Sequence, residues 1–344
     1  MRSIPQLSVV VPVYNGGAQL TRCIEALRAS DFSDREIIIV DDGSSDESAE
    51  AWRERGIKVI RLASRRGPAA ARNCGASHAR GQVILFVDAD VVVQRSTLSS
   101  VAAFFREHER VAALFGSYDT KPAAENFVSQ YKNLLHHFIH QRSSAEAETF
   151  WAGCGAIRRE AFEAVGGFDE RKYRKPSIED IELGYRLRRK KFTIILDRHL
   201  QVKHLKRWTL SSLVRTDMLD RALPWSQLII EDGWMINDLN LRMSDRISTA
   251  LSGLAVALLI LSYFHIALLV GMTAALTAIF LLNLRFFRFF RERRGVWFSV
   301  RAFAMLVLYY LYSGIVFTLV YCSHILRDAG RAARAAESGP TKDA

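Results

Sequence analysis

Two short apolar runs in this chain each stop at a pair of acids, and that pattern narrows the folds open to it. Residues 37–40 are all isoleucine or valine and run into Asp41-Asp42-Gly43-Ser44. Residues 83–87 run into Asp88-Ala89-Asp90. Runs this short and β-branched, bounded by turn formers, read as strands buried on both faces, as in a parallel sheet. Open α/β sheets bind ligands just past the carboxyl ends of their strands, where both acid pairs fall. Two carboxylates one residue apart on a tight loop repel each other, and a divalent cation shared with a phosphate removes that repulsion. The pattern points to a nucleotide diphosphate held through a divalent metal.

The neighbouring segments fit the same sheet. Residues 7–13 read as the first strand, too short an apolar run for a secretory signal. Leu20, Ile24 and Leu27 give 18–30 a helical face. Ser45-Asp46-Glu47 is a good helix start, 59–62 reads as a third strand, and Gly67-Pro68 opens a helix over 68–78. A helix over 96–108 follows the fourth strand. This alternation calls for a doubly wound α/β sheet with right-handed crossovers. Beyond 109 the pattern is less regular: a strand at 111–115, a helix at 125–141, a glycine-bearing loop at 148–156, a short helix at 159–165, a turn at 166–169, and a helix at 181–191 opened by Glu179-Asp180. His136 and His140 stand four apart, a metal-binding spacing, but no carboxylate accompanies them, so an ordinary amphipathic helix is expected.

The net charge of +11 is unevenly placed, with +6 of it after residue 246, where acids almost vanish. The basic balance belongs to a membrane-like end and does not imply nucleic acid; it suits an anionic membrane face. Residues 247–284 are long enough for two short spans joined near 263–266, and a third span is expected at about 302–323. Arg285, Arg288, Arg291, Arg293 and Arg294 crowd one short loop that the positive-inside rule places in the cytoplasm. Three spans would put the tail, with Arg327, Arg331 and Arg334, on the far side, so a two-span or re-entrant arrangement stays open. The expected organisation is an α/β domain over 1–210, an interfacial linker over 211–246, a transmembrane region of about three spans over 247–326 and a polar tail over 327–344. The four cysteines form no CxxC, so neither zinc nor redox chemistry is indicated, and a reduced, cytosol-facing domain is the plain reading. No GxGxxG follows the first strand, which disfavours a dehydrogenase-type dinucleotide site.

In order and spacing, Pro12-Val13-Tyr14-Asn15, the Asp41-Asp42-Gly43-Ser44 turn, GPAAARNCG at 67–75, Asp88-Ala89-Asp90, GCGAIRREAFEAVGGFDE at 153–170 and Glu179-Asp180 resemble the family 2 glycosyltransferases over roughly 7–210. The resemblance implies a GT-A fold with a mixed sheet, followed here by C-terminal transmembrane helices. It implies that Tyr14 stacks on the nucleotide base, that Asp41 or Asp42 accepts from base or ribose, and that Pro12, Asn15, Asn73 and Ala89 complete the donor side. Asp88 and Asp90 would form the metal element, Asp90 the direct ligand of Mn2+ or Mg2+, with His204 completing it. Asp180 would be the general base beside Glu179. Trp151, Gly153, Cys154, Gly155, Arg207 and Trp208 would lie on the acceptor side. In processive synthases of this family a Gln-x-x-Arg-Trp motif occupies the position of Arg207-Trp208. Here the residue three before Arg207 is His204, so processive synthesis is not expected.

The chemistry agrees with the residue types. A divalent cation stabilises charge on a leaving diphosphate, and a carboxylate can take the proton of a weakly nucleophilic hydroxyl. The resemblance implies inversion. The expected enzyme moves a sugar from a nucleotide-diphosphate sugar to a hydroxyl acceptor, lipid-linked, at the cytoplasmic face of the inner membrane, as a multi-pass protein. Two alternatives stand beside it. One is transfer to a bare polyprenyl phosphate, which needs no base, as in dolichyl-phosphate-mannose-synthase relatives; the other is a non-catalytic nucleotide-sugar-binding membrane scaffold. Sugar-nucleotide pyrophosphorylases are disfavoured because no glycine-rich basic loop follows the first strand.

Overall fold

The computed structural model describes residues 5–337, with side chains through residue 330. In order the elements are β1 (Leu7–Val13), α1 (Gly17–Arg28), β2 (Arg35–Asp41), α2 (Glu50–Arg53), β3 (Lys58–Arg61), α3 (Pro68–His78), β4 (Val83–Val87), β5 (Val91–Val92), α4 (Thr97–Glu107), β6 (Val111–Tyr118), α5 (Phe127–Arg142), β7 (Cys154–Arg158), α6 (Arg159–Ala164), α7 (Glu179–Arg189) and β8 (Thr193–His204). They continue with α8 (Leu210–Arg215), a π-helical turn (Thr216–Ala222), α9 (Leu223–Asp232), α10 (Met243–Leu261), α11 (Leu268–Leu282), α12 (Leu284–Arg294) and α13 (Val296–Glu337). Contacts divide the chain into two units, one of residues 1–210 with 238–240 and one of 211–237 with 241–344.

The first unit is built on an eight-stranded sheet in the order β3-β2-β1-β4-β7-β6-β8-β5. β1 pairs in parallel with β2 and β4, and β2 with β3, so four strands deliver their carboxyl ends to one edge. β1 is buried throughout, the signature of a central strand covered by helices on both faces. Pro12 lies beyond the last β1–β4 pair, Val10 with Phe86, where a residue without an N–H is tolerated. The sheet is mixed, as the GT-A resemblance implied, because β7 runs antiparallel between β4 and β6.

Three local expectations are corrected. The loop expected over 148–156 ends in strand: Cys154 and Gly155 pair with Val87 and Phe86. The helix expected from Ser45 begins only at Glu50 and is four residues long, because Ser44, Ser45 and Asp46 are engaged by the loop after β1. The third is β8, twelve residues long, in a stretch expected to be irregular. Its buried residues include Ile194, Leu196, Leu200, Val202 and His204, an alternation interrupted by Asp197-Arg198-His199.

The second unit is helical. Met243–Leu261 and Val296–Gly330 are long and apolar enough to cross a membrane. Leu268–Leu282 and Leu284–Arg294 qualify only as one broken span, bent by 68°. The arginine-rich stretch expected as a loop is the helix α12, with Phe286 and Phe290 buried and its arginines exposed. Asn283 sits at the bend and donates from Nδ2 to Ser248 Oγ at 3.0 Å, while the Tyr310 hydroxyl lies 2.7 Å from Asp245 and 2.9 Å from Asn283 Oδ1. Helices without a water-driven reason to associate are commonly joined by such polar contacts. Of the expected polar tail, 327–337 continues α13, and 338–344 lies outside the described residues.

Candidate active site

The loops after β1 and β2 are latched together. Asn15 adopts a left-handed backbone (φ 51°), its N–H donates to Ser44 Oγ at 2.8 Å, and its side-chain oxygen accepts Ser45 N–H at 2.8 Å. Asp41 Oδ1 accepts Ser44 N–H at 2.8 Å, and Arg61 lies 3.5 Å from its other oxygen. Asp42 accepts Arg66 N–H at 2.6 Å and Gly67 N–H at 2.8 Å, pinning the loop that leads into α3. Both acids are buried. Tyr14 projects from this edge, half-exposed, and the Arg65 guanidinium lies 4.0 Å over its ring, an attractive cation–π geometry. Asn73 is a second latch, bonded both ways to the Phe168 backbone, so its side chain is committed to the 166–170 turn.

The loop after β4 carries Asp88, Ala89 and Asp90. Antiparallel pairing of β5 with the end of β8 sets Val91 opposite His204, which puts His204 Nε2 3.4 Å from Asp90 Oδ2. The His204 ring stacks on Tyr118 at 4.2 Å. Burial works against the Asp90 charge, but the His204 hydrogen bond and charge hold its pKa below the ordinary carboxylate value. Burial and the neighbouring Asp90 push Asp88 the other way, upward. Ala89 packs partly buried on the core.

Arg72 of α3 faces Asp88. Its Nη2 donates to Asp88 Oδ1 at 2.7 Å and its Nη1 to Glu179 Oε1 at 2.8 Å. Burial disfavours this cation, yet Asp88, Glu179 and Asp180 together hold its pKa above the usual arginine value. Glu179 also accepts Ser177 N–H at 2.9 Å. Asp180 Oδ2 accepts Ala152 N–H at 3.0 Å. Burial and the charge of Glu179 push Asp180 up to about 6, inside the range where a carboxylate exchanges protons near neutral pH. The middle of α7 is seated closely on the 149–150 backbone, where a Cβ at Gly184 would collide with Thr149 and Phe150.

The segment bearing Trp151 lies beside these acids. A Cβ at Gly153 would run into the Trp151 indole, and Gly153 O accepts Asp88 N–H at 3.2 Å; Gly155 packs as closely on Trp151 and Phe150. Trp151 meets Tyr118 and His136 at 4.9 Å and His140 at 5.7 Å. The Cys154 thiol points into the hydrophobic core, and burial pushes its pKa up to about 12, so an acceptor could meet only backbone at that position. Trp208 is buried, its N–H bonded to Ser129 and its carbonyl to Asn126, whereas Arg207 is exposed. Neither side chain is brought to Asp180 by any contact among the described residues.

His137 and His140 hydrogen-bond the carbonyls of Tyr118 and Gly116, which fastens α5 to β6. Burial lowers His140 to about 4, so it is a neutral structural histidine. Among the described residues no group of three His, Cys, Asp or Glu is arranged to hold a metal alone. Reading the sequence missed Arg72, Arg65 and Tyr118. The only signal for Arg72 was its place inside the quoted GPAAARNCG motif.

Residues 8–166 match the model of the family described as Glycosyl transferase family 2. Glycosyltransferase GlyG of Streptococcus pneumoniae is 32% identical over 126 residues, which is 35% of this chain and 42% of that protein. Pre-mycofactocin glycosyltransferase of Mycobacterium tuberculosis is 32% identical over 192 residues, 53% of this chain and 38% of the relative. The chain thus spans less than half the length of these curated relatives. In fold it resembles the mannosyltransferase PcManGT from Pyrobaculum calidifontis, solved with GDP-Man and Mn2+, at a TM-score of 0.54 and 20% identity, over 82% of this chain and 88% of that one.

Proposed function

We propose that this chain, whose residues 8–166 are a family 2 glycosyltransferase domain, is a membrane-anchored, metal-dependent, inverting glycosyltransferase. It takes a nucleotide-diphosphate sugar as donor and a hydroxyl group, carried on a lipid, as acceptor. The observation that carries the reading is a chain of contacts: Asp90 beside His204 and Asp180 on Ala152 N–H, their neighbours Asp88 and Glu179 bridged by Arg72. It gives one carboxylate for a cation and another for a proton.

The residues fit Mn2+ or Mg2+. Asp90 and His204 offer an oxygen and an imidazole nitrogen, and Asp88 has one oxygen besides that bonded to Arg72. That is too few ligands for a complete protein site, which suits cations that are completed by substrate phosphates. When bound, the cation would neutralise charge gathering on the leaving diphosphate. Tyr14 supplies a face for the base, and Asp180, ionised above about pH 6, takes the acceptor proton as attack proceeds. A GDP-Man and Mn2+ complex of a protein of like fold supports the donor class.

The two apolar helices support membrane association, and the arginines of α12 support a cytoplasmic face for that end. Covalent continuity between the first unit and an apolar one supports a lipid-linked acceptor.

The test is nucleotide-diphosphate release from a panel of sugar nucleotides by detergent-purified protein, with Mn2+ or EDTA, with and without a lipid extract of the source cells. Release needing both metal and lipid supports the whole reading. Release with metal alone is slow donor hydrolysis, which fixes the donor and leaves the acceptor open. Binding without turnover on any donor would overturn the enzyme reading in favour of a scaffold. Transfer that survives Asp180→Asn but not Asp90→Ala would favour a phosphate acceptor that needs no base.

A further inference from the structure

Arg72 is a cation inside the protein, 5% exposed. It reaches from α3 between the loop after β4 and the first turn of α7. Its two terminal nitrogens serve Asp88 and Glu179, and its Nε has no hydrogen-bond partner among the described residues. All the hydrogen bonding of a desolvated charge therefore falls on two carboxylates from separate elements. Removing one partner of a buried ion pair is costly because the remaining charge is left uncompensated. A guanidinium can hold two carboxylates at a fixed angle, which an ammonium cannot. Glu179 in turn takes Ser177 N–H, so the backbone that presents Asp180 is tied to the same cation. Asp180 itself hydrogen-bonds Ala152 and Ile181 backbone and stands in the field of Arg72 without being one of its two hydrogen-bond acceptors.

We infer that Arg72 is a positioning residue that couples the Asp88–Asp90 loop to the first turn of α7, so that a change at Glu179 alters cation binding and a change at Asp88 loosens the backbone around Asp180. With Glu179 neutral, Arg72 turns its whole charge on Asp88 and competes with a cation for it. With Asp88 neutral, Arg72 and Glu179 collapse onto each other and Glu179 is drawn from Ser177. The cation arm of the test rests on the proposed function; the second arm does not.

In the first arm, Mn2+ is titrated into full-length protein without sugar nucleotide, and free Mn2+ is read by electron paramagnetic resonance. Glu179→Gln and Asp180→Asn each delete one negative charge from adjacent positions, so a simple field effect weakens both alike. Coupling through Arg72 predicts a loss of about tenfold for Glu179→Gln against no more than about threefold for Asp180→Asn, as expected when only one of them shares a salt-bridge network with the site. Arg72→Lys, which keeps the charge but not the fork, follows Glu179→Gln. Equal losses in the two acid variants overturn the inference. In the second arm, metal-free protein carrying Asp88→Asn is followed by hydrogen exchange. Amides of 177–181 exchange several-fold faster while those of β1 do not change; unaltered exchange at 177–181 overturns the inference. If wild-type protein binds no Mn2+, or Asp90→Asn binds it equally well, the cation reading falls and the exchange arm alone decides. Exchange raised throughout marks a variant that has not folded, and Arg72→Lys then replaces it in that arm with the same prediction.

Discussion

The two acid pairs that look alike in the sequence are held in opposite ways. After β2, Asp42 is satisfied by the amides of Arg66 and Gly67, and Asp41 by that of Ser44 with Arg61 beside its other oxygen. Asp88 and Asp90, after β4, face side chains, Arg72 and His204, and Asp180 keeps a single amide from outside its own helix turn. A carboxylate saturated by main-chain N–H groups shapes a loop and cannot easily be released. One balanced against another side chain can change partners. The first pair is thus bound into its loop and the second, on the function proposed above, is placed to exchange partners, although both follow the same kind of strand.

The widest separation between the two sets lies in turnover. Asp90→Ala abolishes metal-dependent transfer, and Asp180→Asn lowers kcat by about 10²–10⁴, the range for losing a general base, while donor binding is kept. Initial rates and donor Kd check both. Near-normal transfer by either variant would break the contrast.

Stability gives the next effect, with the opposite ranking. Asp42→Ala leaves the buried Gly67 amide without an acceptor, at about 1–3 kcal/mol, and the part-buried Arg66 amide loses its partner as well, so thermal unfolding moves down by several degrees. Asp180→Asn does not destabilise at neutral pH. The folded pKa of Asp180 is raised from 3.8 to about 6, so its ionisation penalises the folded state, an effect absent below pH 4 and fully present above about 6. Unfolding midpoints of Asp180→Asn equal or exceed those of the parent above pH 6 and match them at pH 4.

The pH profile sharpens the assignment further. If Asp180 works as a base, kcat rises with pH through about 6 with the slope of a single proton, and that limb disappears in Asp180→Asn. The smallest effect belongs to His140. Burial lowers its pKa from 6.5 to about 4, so the stability it contributes is present above 6.5 and lost as pH falls towards 4. Its replacement by Gln flattens that part of the stability curve, measured by denaturant unfolding, without altering kcat.

Much of the left side of the sheet was legible because β1, β2 and β4 are unbroken apolar runs, and α3 announces itself with Gly67-Pro68. β7 was hidden because Cys154-Gly155-Ala156 carries little apolar bulk, and the reason lies across space, in rings that leave no room for a Cβ. β8 was hidden by its charged middle. Where the candidate site residues sit follows from strand ends; Arg72 could not be ranked among 47 basic residues, since what sets it apart is burial between two acids distant in sequence. Cys154 and Trp208 show the converse: a motif position indicates a neighbourhood, and only packing decides which way the side chain turns.

Trp208 has a mechanical consequence. The chain leaves the first unit at Leu210, shortly after His204 completes its approach to Asp90. Between them, the backbone N–H and carbonyl of Trp208 are fastened to Ser129 and Asn126 of the α5 region. A pull on the chain beyond Leu210 therefore meets this fastening to the α5 region before it reaches the histidine. The clamp works as strain relief on a cable: the line can be pulled beyond Leu210 while the joint at the histidine stays still.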